Sequence, residues 1–229
     1  MKPWELLGET RAPDGTLLVL TRHDREYVIL ANGKSLMSSR MHGSEEALAT
    51  IACRHARTSA RPCVLVGGLG MGFTLRATLD ALPPEAIVLV AELLPTVVEW
   101  NREVLAPLAD YPLKDRRVEM VIGDVADTLA SSRGRFNAVL LDVDNGPDAL
   151  TASANDRLYS DAGLLAIRRA LKRGGVVGVW SARDDRKFEQ RLRFGGFDVD
   201  VERVRARLKQ GGPRHTIFLG YKRAGGARR

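Results

Sequence analysis

The sequence predicts an α/β fold: a doubly wound, mostly parallel sheet preceded by a small antiparallel β unit. Three observations lead there. From Cys63 onward, short continuous apolar runs alternate with helical stretches. A glycine-rich turn follows the first of those runs directly, and the runs before residue 43 are short and separated by turn residues.

The leading unit comes first. Thr16 to Leu20 is a short apolar run after the turn Pro13-Asp14-Gly15, and Glu26 to Leu30 is another, closed by Asn32-Gly33. Asn-Gly favours a tight hairpin because both residues tolerate positive φ. Ser44 then reads as the N-cap of a helix, with Glu45 and Glu46 in its first turn and Ala47, Leu48 and Ile51 as apolar positions.

Cys63-Val64-Leu65-Val66 has no polar alternation, as expected of a strand buried on both faces of a parallel sheet. A helix to about Leu82 follows the glycine turn. The spacing then predicts a strand over Ile87 to Ala91, a helix through Leu105, and strands over Val118 to Ile122 and Ala138 to Leu141. Beyond them come a helix over Leu164 to Leu171, a strand over Val176 to Trp180 and a helix over Lys187 to Phe194. Asp198 to Arg205 and His215 to Gly220 read as paired edge strands. Such a closing antiparallel pair suits the class I methyltransferase type of sheet better than a plain dinucleotide fold. The division expected is a β unit over 1–43 and a Rossmann-like domain over 44–229 that ends in a basic tail, 222–229.

The composition, 45% hydrophobic and 28% charged over 229 residues, is that of an ordinary globular protein. No apolar run approaches the roughly 18–20 residues that span a bilayer. Glu5 stands where a signal peptide needs its apolar stretch, so the cytoplasm is the expected location. Cys53 and Cys63, the only cysteines, have no second Cys/His pair at metal spacing; they read as buried thiols, and no metal is expected. The net charge of +7 is concentrated late, at Arg203, Arg205, Arg207, Lys209 and Arg214 and in the tail. No nucleic-acid motif or interleaved aromatic series accompanies it, so nucleic acid is not the expected partner.

Chemistry concentrates at the ends of the predicted strands. Gly67-Gly68-Leu69-Gly70-Met71-Gly72 allows a sharp turn and close approach of a ligand to the peptide plane. It is not a phosphate loop, because it lacks the Gly-Lys-Ser/Thr ending. Glu92 ends the second strand of the series, where an acid accepts from ribose hydroxyls. Gly123-Asp124-Val125 follows the third, where an acid accepts from an adenine amino group, and Asp142 follows the fourth, with Asp144 just beyond. Acids repeated at carboxyl ends of strands build the ligand crevice of an open α/β sheet. His42 and His215 stand outside any motif and read as structural or surface residues, and Trp180 as a residue of the core or the crevice wall.

These residues resemble the spermidine synthase family, within the Rossmann-like S-adenosylmethionine-dependent transferases. The resemblance covers most of the chain: the leading β unit, Gly68-Leu69-Gly70-Met71-Gly72 before Thr74-Leu75-Arg76, Glu92, Gly123-Asp124, and Leu140-Leu141-Asp142. It extends to Arg157-Leu158-Tyr159-Ser160 and to Leu171-Lys172-Arg173-Gly174-Gly175. It implies a donor, S-adenosylmethionine or decarboxylated S-adenosylmethionine, held by Gly68, Gly70, Gly72, Glu92, Asp124 and Val125. It also implies an amine acceptor met by Glu46 and Tyr159 and deprotonated by Asp142, with Asp144 assisting.

The departures bear on the substrate. Where the family carries an aspartate that meets the amine of the aminopropyl donor, this chain has Met71. The family's second strand-four acid precedes proline, whereas here the order is Asp144-Asn145-Gly146-Pro147. The polyamine-gripping Gln and Tyr-His/Gln-Glu positions are Leu36 and Ser44-Glu45-Glu46. A polycationic substrate needs several carboxylates to offset desolvation of its ammonium groups. The reaction expected is in-line displacement at a sulfonium carbon, moving an aminopropyl group, with methyl transfer to a small molecule as the alternative. A non-catalytic nucleoside-binding homologue is a further alternative. A nicotinamide oxidoreductase is disfavoured by Asp124 and the closing strands. Whether the N-terminal unit forms a homodimer contact is left open by the sequence.

Overall fold

The structure, a computed structural model, describes residues 3–143, 157–207 and 211–223. Asp144, Asn145 and the residues on to Asp156, residues 208–210 and those beyond Arg223 lie outside the described residues. Two sheets are present. Four strands, β1 (Glu5–Arg11), β2 (Leu17–His23), β3 (Glu26–Ala31) and β4 (Lys34–Ser38), form an antiparallel meander in that order. The Asn32-Gly33 turn between β3 and β4 has φ of 48° and 78°, as a tight hairpin requires. β1 and β4 are additions to the sequence reading. Both have mostly exposed or half-buried residues, so their apolar alternation is weak.

Helix α1 (Gly43–Ala56) leads into the second sheet, built from β5 (Cys63–Gly67), α2 (Phe73–Ala81), β6 (Ile87–Glu92), α3 (Pro95–Arg102), β7 (Val118–Ile122), α4 (Val125–Ser131) and β8 (Phe136–Leu141). Then follow α5 (Asp161–Ala170), β9 (Leu171–Ser181), α6 (Arg186–Phe194), β10 (Phe197–Arg205) and β11 (Arg214–Lys222). The strand order is β10-β11-β9-β8-β5-β6-β7. The run from β9 to β7 is parallel, and β11 is antiparallel to both its neighbours. This is the doubly wound, mostly parallel sheet with a closing antiparallel pair that the sequence predicts.

Burial follows the two-residue period of the strands. Val64, Val66, Val88, Val90 and Leu140 face a core shared with α1 and with Leu20 and Ile29 of the small sheet. Leu65, Leu89, Val139 and Leu141 face the opposite core, with Leu164, Phe188 and Leu192 of α5 and α6. The small sheet therefore rests on the same apolar layer as α1 and α2. One expectation fails at α1: the helix starts two residues earlier, His42 takes the N-cap position without a side-chain cap, and Ser44 is fully buried. Its hydroxyl is used elsewhere.

Candidate functional site

Strand order reverses between β5 and β8, whose chain neighbours lead away in opposite directions, and a crevice opens outside the carboxyl ends there. The backbone is tied across this point: the Gly68 N–H donates to Ala91 O at 2.9 Å and the Asp142 N–H to Gly67 O at 2.9 Å. Gly68, Gly70 and Gly72 all take positive φ, at 86°, 54° and 85°. At Gly68 no other residue fits, since a Cβ would lie 2.3 Å from the carbonyl oxygen of Asp142.

Glu92 is buried and organises this turn. One carboxylate oxygen accepts from the N–H of Leu69 at 2.9 Å and the other from the N–H of Leu94 at 2.9 Å. Hydrogen bonds to a charged group are worth about 1.5–3 kcal/mol each, so Glu92 fixes the loop. Asp124 caps α4 by accepting from the Ala126 N–H at 2.7 Å, and its second oxygen lies 3.4 Å from Arg157 in an exposed pair. Asp142 is partly buried, and Thr74 Oγ1 donates to it at 2.5 Å.

Gly68, Gly70, Glu92, Asp124, Val125 and Asp142 all line one cleft of about 260 Å³. Its roof comes from the small sheet, through residues such as Asp14, Leu18, Ile29 and Leu36. Four carboxylates, Asp14, Glu92, Asp124 and Asp142, thus border one cleft of a chain with net charge +7. That local reversal of sign attracts a cation.

A second, smaller pocket of about 10 Å³ adjoins it, lined among others by Glu45, Met71, Thr74 and Asp142. Burial pushes the Glu45 carboxyl up to about 8, with the Asp142 charge adding to the rise against a bond from Ser44. Burial pushes Asp142 up to about 6, against the lowering hydrogen bond from Thr74. Asp142 therefore ionises first, while Glu45 keeps its proton. One protonated and one ionised carboxyl side by side is the arrangement that acid–base chemistry uses.

Other expected residues fall elsewhere. Gly72 is the N-cap of α2 and is not among the cleft-lining residues. Glu46 turns away from both pockets and pairs with His42 at 2.6 Å. Tyr159 is 1% exposed and packs edge-on against Phe188 in the core, and the neighbouring Leu158 reaches the cleft instead. Trp180 is buried beside His215 and is absent from the cleft wall.

No protein-family model matches the chain, and no curated protein matches it by sequence. Solved structures do. A spermidine synthase in complex with the transition-state analogue AdoDATO aligns with a TM-score of 0.73 at 18% identity, over 96% of this chain and 73% of that one. The spermidine synthase from Thermotoga maritima gives 0.74 at 18% identity, over 96% and 74%. A probable spermidine synthase from Corynebacterium glutamicum ATCC 13032 gives 0.63 at 17% identity, over 93% and 79%.

The fold is that of the spermidine synthases. Within a spermidine synthase fold, the small sheet and the main sheet are one continuous likeness, because the alignments span nearly the whole chain. Glu45 is the residue that sequence reasoning missed in this fold. Its signal was present: positions 45, 48, 49, 52, 53 and 56 of α1 form the buried stripe, and Glu45 is the acid on it.

Proposed function

We propose that the protein transfers an aminopropyl group from a sulfonium nucleoside, decarboxylated S-adenosylmethionine, to an amine acceptor. The observation that carries this reading is one cleft bordered by Gly68, Glu92, Asp124 and Asp142 at the sheet's switch point. Glu92 accepts from the ribose hydroxyls and Asp124 from the adenine amino group, while Val125 packs against the base. The sulfonium carbon then lies toward Asp142. On this reading residues 1–43 roof the acceptor end, and 44–229 form the transferase domain.

The donor brings its own electrophile, so the protein mainly aligns the reactants. Asp142, fixed by Thr74, orients the acceptor nitrogen and takes its proton as the new N–C bond forms. Asp144, two positions on in the sequence, is kept as an assisting acid.

Glu45 favours the aminopropyl donor. Met71 replaces the acid expected for the donor's ammonium, yet Glu45 lines the same small pocket as Met71. An ammonium there lowers the Glu45 pKa and makes the carboxylate its counter-ion. A second reading, methyl transfer from S-adenosylmethionine, is favoured by the apolar roof of Leu18, Ile29 and Leu36. Calorimetry with both donors, followed by product mass with a diamine acceptor, separates them. Tighter binding of the decarboxylated donor and a gain of one aminopropyl group are expected. Preference for S-adenosylmethionine with a gain of one methyl would replace the first reading with the second, and failure to bind either would end both.

A further inference from the structure

The Glu45 carboxyl is connected through Ser44 to a residue of β11. Ser44 Oγ lies 2.6 Å from Glu45 Oε2 and 2.8 Å from Nδ1 of His215, a contact across 171 positions of sequence. Ser44 is fully buried and Glu45 nearly so, whereas His215 on β11 is half-buried and reaches the surface. Asp142, Glu45, Ser44 and His215 therefore form a series that starts in the cleft and ends near solvent.

We propose that Glu45, Ser44 and His215 are a proton exit route from Asp142. This rests on the reading above, in which Asp142 takes the acceptor's proton. In that step the amine nitrogen bonds to the sulfonium carbon, the C–S bond breaks, and its electron pair stays on sulfur. The nitrogen's proton goes to Asp142. Glu45, ionised beside the donor's ammonium and accepting from Ser44, takes that proton from Asp142; Ser44 Oγ then turns to His215 Nδ1, receives the proton from Glu45 and passes its own to the ring. His215 then releases a proton to water. Glu45 and Asp142 both line the pocket of about 10 Å³, which is on the scale of one water, and the first hop is proposed to run through a water there.

The states of the groups suit this direction. Without a donor, near neutral pH, Glu45 holds a proton that Asp142 has lost, so Glu45 is the stronger base of the two and draws the proton from Asp142. Burial alone holds His215 below its ordinary value, so it is neutral and ready to accept. The groups around it interfere little. Trp180 on β9 packs edge-on at 4.7 Å between ring centroids, and Val204 is its β10 partner. On its own strand, Thr216 donates to Asp184, which Arg203 of β10 also pairs. On α1 the facing groups are Ser44 and Glu45, since Glu46 is taken up by His42.

The His215 ring titration, followed by NMR on the intact protein, tests the connection without any substrate. Between wild type, Glu45→Gln and Asp142→Asn the curves should differ in their Nδ1 end-point shifts, because the contact of His215 with Ser44 changes when the other partner of Ser44 does. Turnover is then measured with decarboxylated S-adenosylmethionine and putrescine. His215→Gln keeps a hydrogen-bonding partner for Ser44 but carries no proton, and it should lose about tenfold or more in weak buffer. Added imidazole should restore much of that loss, with S-adenosylhomocysteine affinity unchanged.

Identical His215 titrations in all three proteins overturn the route, as does a His215→Gln enzyme that is fully active in weak buffer. A loss in His215→Gln that imidazole leaves untouched marks a structural role and overturns it too. Asp142→Asn distinguishes the two levels. If that variant is inactive while His215 titrates independently, the route alone falls. If it is fully active, the role given to Asp142 falls whatever His215 does.

Discussion

Thr74 Oγ1 donates a hydrogen bond to Asp142 Oδ2 at 2.5 Å, joining the first turn of α2 to the end of β8 across the mouth of the crevice. The aspartate is thereby aimed by a residue of α2.

This pairing gives the first prediction. Asp142→Asn retains an acceptor for Thr74 and should keep the melting temperature and most of the nucleoside affinity. Turnover should fall by roughly 10²–10⁴-fold, the usual contribution of a positioned acid–base group. Single-turnover rates and thermal denaturation on one preparation check it. If Asp142 only terminates its strand, stability falls and the rate per folded molecule does not.

Glu92 holds the turn and lines the cleft, so its substitutions should damage both stability and donor binding. Glu92→Ala leaves the N–H groups of Leu69 and Leu94 without their carboxylate acceptor, at a cost of about 1–3 kcal/mol each. Affinity for S-adenosylhomocysteine should drop at least about tenfold. Glu92→Gln retains one acceptor oxygen and should recover part of the stability. Wild-type affinity in either variant would remove Glu92 from the donor site.

Gly68→Ala should be far worse than a change at another left-handed glycine. Its Cβ meets the backbone carbonyl oxygen of Asp142 at 2.3 Å, whereas a Cβ at Gly134, with φ of 56°, meets nothing within 4 Å. Gly134→Ala should cost about 1–2 kcal/mol from backbone conformation alone. Gly68→Ala must also displace the end of β8, and so should lose more stability and nearly all turnover. Equal denaturation midpoints for the two variants would contradict this packing.

The pH dependence follows from the buried pair. Both carboxyls titrate above their unfolded values, so the folded state binds their protons more tightly. Their stabilisation is complete below about pH 4 and is lost as pH rises through about 6 for Asp142 and about 8 for Glu45. Glu45→Gln removes the second step. Its melting temperature relative to wild type should therefore climb between about pH 4 and 8 and level off above that. Turnover should instead rise through about pH 6, as Asp142 becomes a base. Parallel stability curves for variant and wild type would show that Glu45 ionises as freely folded as unfolded.

Much of this arrangement is legible in the sequence because parallel strands buried on both faces advertise themselves. Cys63–Gly67 and Phe136–Leu141 are almost uninterrupted apolar runs, and the residues after them lie at the carboxyl edge by connectivity alone. Gly68, Glu92, Asp124 and Asp142 reach one cleft for that reason. β1 and β4 escaped notice because edge strands of a half-exposed meander carry little apolar alternation.

Contacts between distant segments were decided only by the tertiary structure. Ser44 reads locally as a helix cap, yet β11 brings His215 to its hydroxyl, and no local rule encodes a partner 171 positions away. Glu46 matches the family pattern, but the turn of α1 points Glu45 at Asp142 and leaves Glu46 to His42. Tyr159 matches a motif and is nonetheless drawn into the core by Phe188. The sequence by itself determined which strands are buried and which side chains stand at their ends, since both follow from local periodicity and chain order. Which acids meet, and how strongly burial holds their protons, depended on packing α1 and the small sheet over the crevice, because desolvation is a property of the assembled core.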